Sequence, residues 1–283
     1  MQFPPKAIPS KRPFSLLIVV IILLGSYFFS MRGISQEMIR RDELTTLGHI
    51  GALEVDSNVM SITDTIASLT TYSEQHPPLY FILANVWGRL FSYHDVTIKL
   101  FSVFCGLLAI ATLFRLATDI GGVFVGYYSI FIASTSVLFL FYTHDIRQYT
   151  LALFLTVAMW LLYFRIIRNL QSVNKMQIAL LMVLTAGMMY THYSTIFILI
   201  PIGLYHVVFV PKTKHWWQVT LAFALAGVLF LPWLPTAIIG LGGHSIKIDE
   251  GEKLYMPLHA LADVSSRFFG NGNSFLFILL MAV

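Results

Sequence analysis

The feature that most limits what this chain can become is a series of long apolar runs whose charges fall near their ends. They lie at roughly 14–31, 98–115, 121–142, 148–165, 177–190, 194–210 and 216–236. A helix needs about 20 apolar residues, at 1.5 Å each, to cross the hydrocarbon core of a bilayer. Only 11% of the 283 residues are charged and 57% are hydrophobic, whereas about a quarter of a soluble domain is charged. So few charges cannot cover a water-soluble globule. A soluble enzyme, a disordered tail and a disulfide scaffold are therefore excluded together, and the single cysteine, Cys105, has no partner for an internal disulfide. Only helices and closed barrels satisfy their backbone in lipid. The runs are of helical length, so the expected fold is all-α, a polytopic membrane helical bundle.

Charge placement orients it. The run Pro13–Met31 sits between Arg12 and Arg32. It is too long for a signal-peptide core and has no small-x-small cleavage site, so it reads as a retained first helix behind a cytoplasmic tail, 1–13. The stretch 32–78 is polar. The apolar segment at 79–91, LYFILANVWGRLF, is short and carries Trp87 and Arg89. That suits a juxtamembrane helix in the interface, inside a first outer loop of 32–97. With this assignment the inner segments hold Lys6, Lys11, Arg12, Arg115, Arg165, Arg168, Lys175, Lys212 and Lys214, and one acid, Asp119. Cations dense in short inner loops satisfy the positive-inside rule. They also explain the net charge of +4 without nucleic acid. Four polar stretches then share the outer face: 32–99, 142–149, 190–194 and 241–271. The closing segment, 241–283, reads as an outer loop and the start of a further span. Its final run from Ser274 is too short to cross, so the natural protein is expected to continue.

Three outer clusters can carry chemistry. Arg40-Arg41-Asp42-Glu43 follows the first span. Its acid pair can hold a cation, serve as a general base or simply be solvated. Glu74-Gln75-His76-Pro77-Pro78-Leu79-Tyr80 starts the short helix. Proline is favoured in a first helical turn, and the Pro-Pro pair fixes the direction of His76; a rigid helix start with an incidental histidine is the plainer reading. Tyr142-Thr143-His144-Asp145-Ile146-Arg147-Gln148-Tyr149 lies at the mouth of two spans, where ionisable groups face a watery cavity or pair with each other. An Asp145–Arg147 anchor pair explains it as well as a ligand site does. Lys99 opens a span from the outer side, and Thr191-His192-Tyr193 turns a helix hairpin; each suits an interface anchor. His206 and His215 lie towards the inner side with no chemistry assigned. Pro232-Trp233-Leu234-Pro235 reads as a helix exit with an aromatic belt residue. No P-loop, dinucleotide-binding glycine motif, paired-cysteine metal site or GxSxG is present.

In order, Arg41-Asp42-Glu43, His76-Pro77-Pro78-Leu79-Tyr80, Lys99-Leu100-Phe101-Ser102 and Asp145-Ile146-Arg147-Gln148-Tyr149 resemble the membrane glycosyltransferases of the C superfamily. The likeness is to the protein O-mannosyltransferase and aminoarabinose-transferase group, with its bacterial lipopolysaccharide-decorating relatives. It covers about residues 14–240, the expected glycosyltransferase transmembrane module. The resemblance implies an all-helical fold with juxtamembrane helices. It implies a polyprenyl-phosphate sugar as donor, a lipid, glycan or protein as acceptor, and a multi-pass protein of the bacterial inner membrane with its site on the outer face. It also implies that Asp42 is the catalytic base, with Glu43 assisting or orienting it. Two departures stand out. Lys99 occupies a place where the family often has Arg, which weakens a bidentate phosphate clamp. Relatives with an acid before Pro-Pro can hold a divalent metal; here Gln75 stands nearest and Glu74 one further back, which argues against a metal. No other cofactor is implied.

The chemistry fits. A sugar on a lipid phosphate already carries an activated leaving group, so the protein must take a proton from the acceptor and hold the departing phosphate. Arg147 is the first candidate for the phosphate, since a guanidinium matches its geometry. Lys99 follows, then His76. Gln75, Asp145, Tyr149 and His192 support them. A single displacement at the anomeric carbon inverts configuration. The rival reading is a transporter or flippase of a lipid-linked substrate. It calls for mid-membrane charges and internal repeats, and the sequence shows neither.

Overall fold

The computed structural model describes residues 12–35, 38–53, 60–71, 76–168 and 173–243, with side chains from 16 to 239. Every regular element among these residues is helical. Gln75, Glu74 and the closing segment from 244 lie outside the described residues, as do the expectations placed on them.

The elements are α1 (Arg12–Met31), α2 (Arg41–His49), α3 (Ile62–Thr71), α4 (Leu79–Leu90), α5 (Asp95–Gly121), α6 (Val123–Thr135), α7 (Val137–Thr143), α8 (Tyr149–Arg168), α9 (Lys175–Met189), α10 (Ile196–Phe209), α11 (Lys214–Phe230) and α12 (Leu234–Gly243). Three helical segments are each long and apolar enough to cross a membrane: Asp95–Gly121, Tyr149–Arg168 and Lys214–Ile239. Large apolar side chains such as Phe124, Phe131, Phe197, Phe209 and Ile239 are exposed along the bundle. That is a liability in water and ordinary against lipid. The chain is an integral membrane protein.

The long α5 is the central post, packed against α8, α6, α1 and α4. Two glycines set its neighbours. At Gly122 the chain adopts φ 95°, a left-handed value that side chains avoid, and turns from α5 into α6. At Gly106 an added Cβ would lie 2.9 Å from Thr143 Cγ2 and 3.2 Å from Phe139 Cζ. The missing side chain lets α7 lie directly on α5, which fixes the height of the loop that follows α7.

The run 121–142, expected as one span, is broken. α6 and α7 meet at Ser136 with a bend of 63°. Ser134 Oγ and Thr135 Oγ1 both donate to the Phe131 carbonyl, at 3.1 and 2.8 Å. Hydroxyls that bond back to helix carbonyls weaken the ladder and bend helices. α9 and α10, also expected as spans, have 15 and 14 residues. At about 1.5 Å each they fall short of a ~30 Å hydrocarbon core. The short segment at 79–91 forms α4, 12 residues long and too short to cross by the same arithmetic.

Polar groups gather at the two ends of α5 and α8. At one end Arg165 Nε donates to Asp119 Oδ2 at 2.6 Å and Arg168 donates to the Asp119 carbonyl at 2.7 Å. The other end carries α2, α3, α4 and the α7–α8 loop. Beneath it lies a core of Leu47, Ile50, Leu69, Tyr80, Phe81, Ile98, Ile146 and Trp233. Trp233 is buried there, its Nε1 donating to the Tyr193 hydroxyl at 3.0 Å. It is a core residue and not the belt residue expected: its ring is buried and its indole N–H bonds within the protein. His206 is buried between α8, α10 and α11. It bonds Tyr163 Oη at 3.2 Å and Thr220 Oγ1 at 3.1 Å and stacks on Trp216. It joins helices, as polar side chains do within bundles.

Candidate active site

The site is built where three backbone segments are tied together. α2 begins at Arg40-Arg41-Asp42-Glu43, and Glu43, at the third helical position, folds back to accept the Arg40 N–H through Oε2 at 2.8 Å. This is the returning half of a capping box; arginine has no acceptor with which to make the other half. The other oxygen of Glu43, Oε1, accepts the Ile146 N–H at 3.0 Å. Glu43 is only 2% exposed, so one buried carboxylate pins the start of α2 to the α7–α8 loop.

Asp145 completes the tie. Its Oδ1 lies 3.1 Å from Arg40 Nη2, and Arg40 also lies over the Phe141 ring at 4.3 Å. Burial raises the Asp145 carboxyl to about 6, against the opposing pull of Arg40. The Asp145 carbonyl accepts from Ser102 Oγ at 2.7 Å, and Tyr80 Oη donates to that same Oγ at 3.0 Å. A hydroxyl has one proton, so the order of donation, Tyr80 to Ser102 to Asp145, is fixed. α4 and α5 thereby hold the same loop.

The expected Asp145–Arg147 pair does not form. Arg147 is 7% exposed, and among the described residues it has no carboxylate within ion-pair distance. Its Nη1 donates to the backbone carbonyl of Asp42 at 3.3 Å, its Nη2 lies 3.4 Å from His76 Nε2, and its Nε has no hydrogen-bond partner. A buried guanidinium is costly without a counter-charge. The Asp42 side chain is exposed and makes no hydrogen bond or ion pair among the described residues. An exposed carboxylate and a buried cation without a close ion pair thus flank one backbone carbonyl.

His76 stacks on Phe81 with ring centroids 6.0 Å apart. Burial, then the Arg147 charge, lowers it to about 4, so it is neutral near pH 7. Pro77 and Pro78 are buried behind it, and the Leu79 N–H donates to the Tyr190 carbonyl at 2.9 Å. That bond joins the start of α4 to the α9–α10 turn and brings His192 into the group. Burial and Arg147 lower His192 as well. Tyr149 bridges the remainder: its ring lies 5.6 Å from His192 and 4.5 Å from Tyr142.

The structure therefore brings together Asp42, Glu43, His76, Asp145, Arg147, Tyr149 and His192. Lys99 stands apart. It is fully buried, and its Nζ donates to the Ile34 carbonyl at 3.2 Å, fastening the start of the first loop to α5. Among the described residues, no group of three or more His, Cys, Asp or Glu is arranged to hold a metal. Two contributors were not assigned from sequence. Ser102 closes the Lys99-Leu100-Phe101-Ser102 piece of the resemblance, one turn after Lys99, but was given no role. Arg40 had one, three residues before a glutamate, but an arginine in the N-cap place does not announce a cap.

The sequence matches the family described as dolichyl-phosphate-mannose-protein mannosyltransferase over residues 75–239. The match spans His76, Lys99, Asp145, Arg147, Tyr149 and His192 and begins after Asp42 and Glu43. No curated protein matches the chain. The chain belongs to that mannosyltransferase family and is a membrane glycosyltransferase.

Proposed function

We propose that the protein moves a sugar from a polyprenyl-phosphate donor to an acceptor hydroxyl or phosphate at the outer face of a bacterial inner membrane, with inversion. The observation that carries this is Arg147, a buried guanidinium with no carboxylate within ion-pair distance, two residues from the Asp145 that pairs with Arg40. Such a cation is complementary to a phosphate, and its fork suits two oxygens at once.

Each residue then has a task. For a hydroxyl acceptor, Asp42 accepts the proton as its oxygen attacks the anomeric carbon. The bond from that carbon to the phosphate oxygen breaks, and the electron pair leaves on the phosphate, where Arg147 meets the added charge. Glu43, with both oxygens engaged, is a positioning residue, as is Asp145 through Arg40. His76 stands beside Arg147 at the phosphate. Tyr149 and His192 line the same side. Lys99 holds the loop that carries α2. The apolar helix faces receive the polyprenyl tail, which accounts for a site at the membrane edge.

The test is transfer by purified full-length protein, offered a panel of polyprenyl-phosphate sugars and, in parallel, nucleotide sugars. Transfer from at least one lipid phosphate and from no nucleotide sugar is expected. Transfer from nucleotide sugars alone would refute the donor class.

A further inference from the structure

The start of α8 holds buried polar atoms without hydrogen-bond partners among the described residues. Gln148 supplies the carbonyl that accepts the Ala152 N–H at 2.9 Å, so it stands in the N-cap place of α8. Glutamine is not among the residues that cap well there. Gln148 is 1% exposed, and its Oε1 has no hydrogen-bond partner. The same holds for Arg147 Nε and Thr150 Oγ1. Such atoms are rare in folded proteins and call for an explanation. Here three fall within four residues.

Helical register places the Gln148 amide. Gln148 precedes Leu155 by seven residues, two turns up the same face of α8. Leu155 meets α9 and the start of α4: Leu155 Cδ1 and Leu79 Cδ2 lie 3.5 and 3.6 Å from where a Cβ on Gly187 would stand. Following that face outward leads from Gly187 towards Tyr190 and His192, and from Leu79 towards His76. The residues on either side of Gln148 reach the same two histidines. Arg147 Nη2 lies 3.4 Å from His76 Nε2, and the Tyr149 ring lies 5.6 Å from that of His192.

A carboxamide both accepts and donates, whereas a phosphodiester only accepts. The phosphate that suits Arg147 therefore cannot answer Gln148 Oε1. A hydroxyl both donates and accepts, and it can answer either end of the amide. The sugar is the group next to the phosphate along the donor, as Gln148 is next to Arg147 along the chain. We propose that Gln148 reads the donor sugar, its buried amide bonding a sugar hydroxyl while Arg147 holds the phosphate. This rests on the phosphate reading above and extends it to the sugar. A buried amide of this kind discriminates well, because a sugar that presents no hydroxyl there leaves it unpaired.

The experiment compares wild type with Gln148→Met, which keeps the volume and removes the amide. Full-length protein in lipid nanodiscs is titrated calorimetrically with short-chain polyprenyl monophosphate and with polyprenyl-phosphate mannose, glucose and galactose. The two proteins should bind the monophosphate within about twofold of each other. The sugar phosphate that wild type binds best should bind Gln148→Met about ten- to a hundredfold more weakly. The variant should also melt no lower than wild type, since it loses a buried group that has no partner; a structural amide would show the opposite. Gln148→Leu serves if the methionine variant does not fold. Sugar-phosphate binding within twofold of wild type would overturn the proposal, as would an equal loss for the monophosphate. Unchanged donor binding with a raised acceptor KM would move the hydroxyl to the acceptor and overturn it too. No monophosphate binding by wild type would instead overturn the phosphate reading on which it rests.

Discussion

The two ends of α8 carry the same kind of residue in opposite circumstances. At its C-terminal end Arg165 and Arg168 are matched by the carboxylate and carbonyl of Asp119, and the Arg165 side chain is 48% exposed. Just before its N-terminal end Arg147 is buried and has two weak neutral contacts, a backbone carbonyl and an imidazole. One end is an anchor whose charges are answered within the protein. The other leaves a cation without a close ion pair, although Asp145 is two residues away and pairs with Arg40 instead. A buried charge maintained in this way makes Arg147 a candidate functional residue.

The largest expected effect on this contrast is at Asp42. Asp42→Asn keeps the shape and removes the proton acceptor, so transfer should fall by about 10²–10⁴. Yield and thermal unfolding in detergent should change little, because the side chain makes no contact that the fold uses. Turnover near wild type by folded Asp42→Asn would shift the base to another group.

Glu43→Gln should come next. One carboxylate oxygen becomes an NH₂ that faces a backbone N–H, either of Arg40 or of Ile146. A buried donor left without an acceptor costs about 1–3 kcal/mol. We expect a lower unfolding temperature and roughly tenfold slower turnover, with the apparent donor affinity changed less than kcat. Steady-state kinetics with a thermal melt would separate this positioning role from a direct one.

Asp145 yields a smaller effect with a definite sign. Its carboxyl is raised to about 6 from 3.8, so the folded protein binds this proton more readily than the unfolded chain does. Relative to Asp145→Asn, the wild type should therefore gain stability as pH falls through about 6 towards 4, and be least favoured above 6. Melting curves of both proteins at pH 7.5, 6 and 5 test this; parallel curves would show that the buried carboxyl does not titrate in that window.

The smallest effect belongs to the other end. Asp119→Asn removes a partly exposed pair of the kind that contributes about 0–1 kcal/mol. Donor kinetics should remain within about twofold of wild type. A large loss there would erase the distinction between the two ends.

Much of the site was legible because charge at the mouth of a membrane helix is rare and costly, which singled out Asp42, His76, Asp145, Arg147 and His192 in a sequence with few charges. Their partners were less legible. Spacing in sequence suggested Asp145 with Arg147, whereas the fold gives Asp145 to Arg40, more than a hundred residues earlier, through a capping geometry that arginine does not signal. Lys99 looked like a phosphate ligand at a span's mouth, and the fold buries its ammonium on Ile34. Hydropathy gave no warning at Ser136, since three hydroxyl residues lower an apolar average only slightly, yet Ser134 and Thr135 bond back to the Phe131 carbonyl just before the break. Trp233 has the same composition signal in a belt or a core, and only its hydrogen bond to Tyr193 decides between them.

The central claim is that Arg147 is held ready for the phosphate of the donor, and Arg147→Lys tests it most directly. Lysine keeps the charge and loses the planar fork. A charge-assisted hydrogen bond contributes about 1.5–3 kcal/mol. Titration of the full-length protein with a polyprenyl monophosphate should therefore show about ten- to a hundredfold weaker binding by Arg147→Lys, with expression unchanged. Binding within about twofold of wild type would contradict the account and make Arg147 an anchor like Arg165.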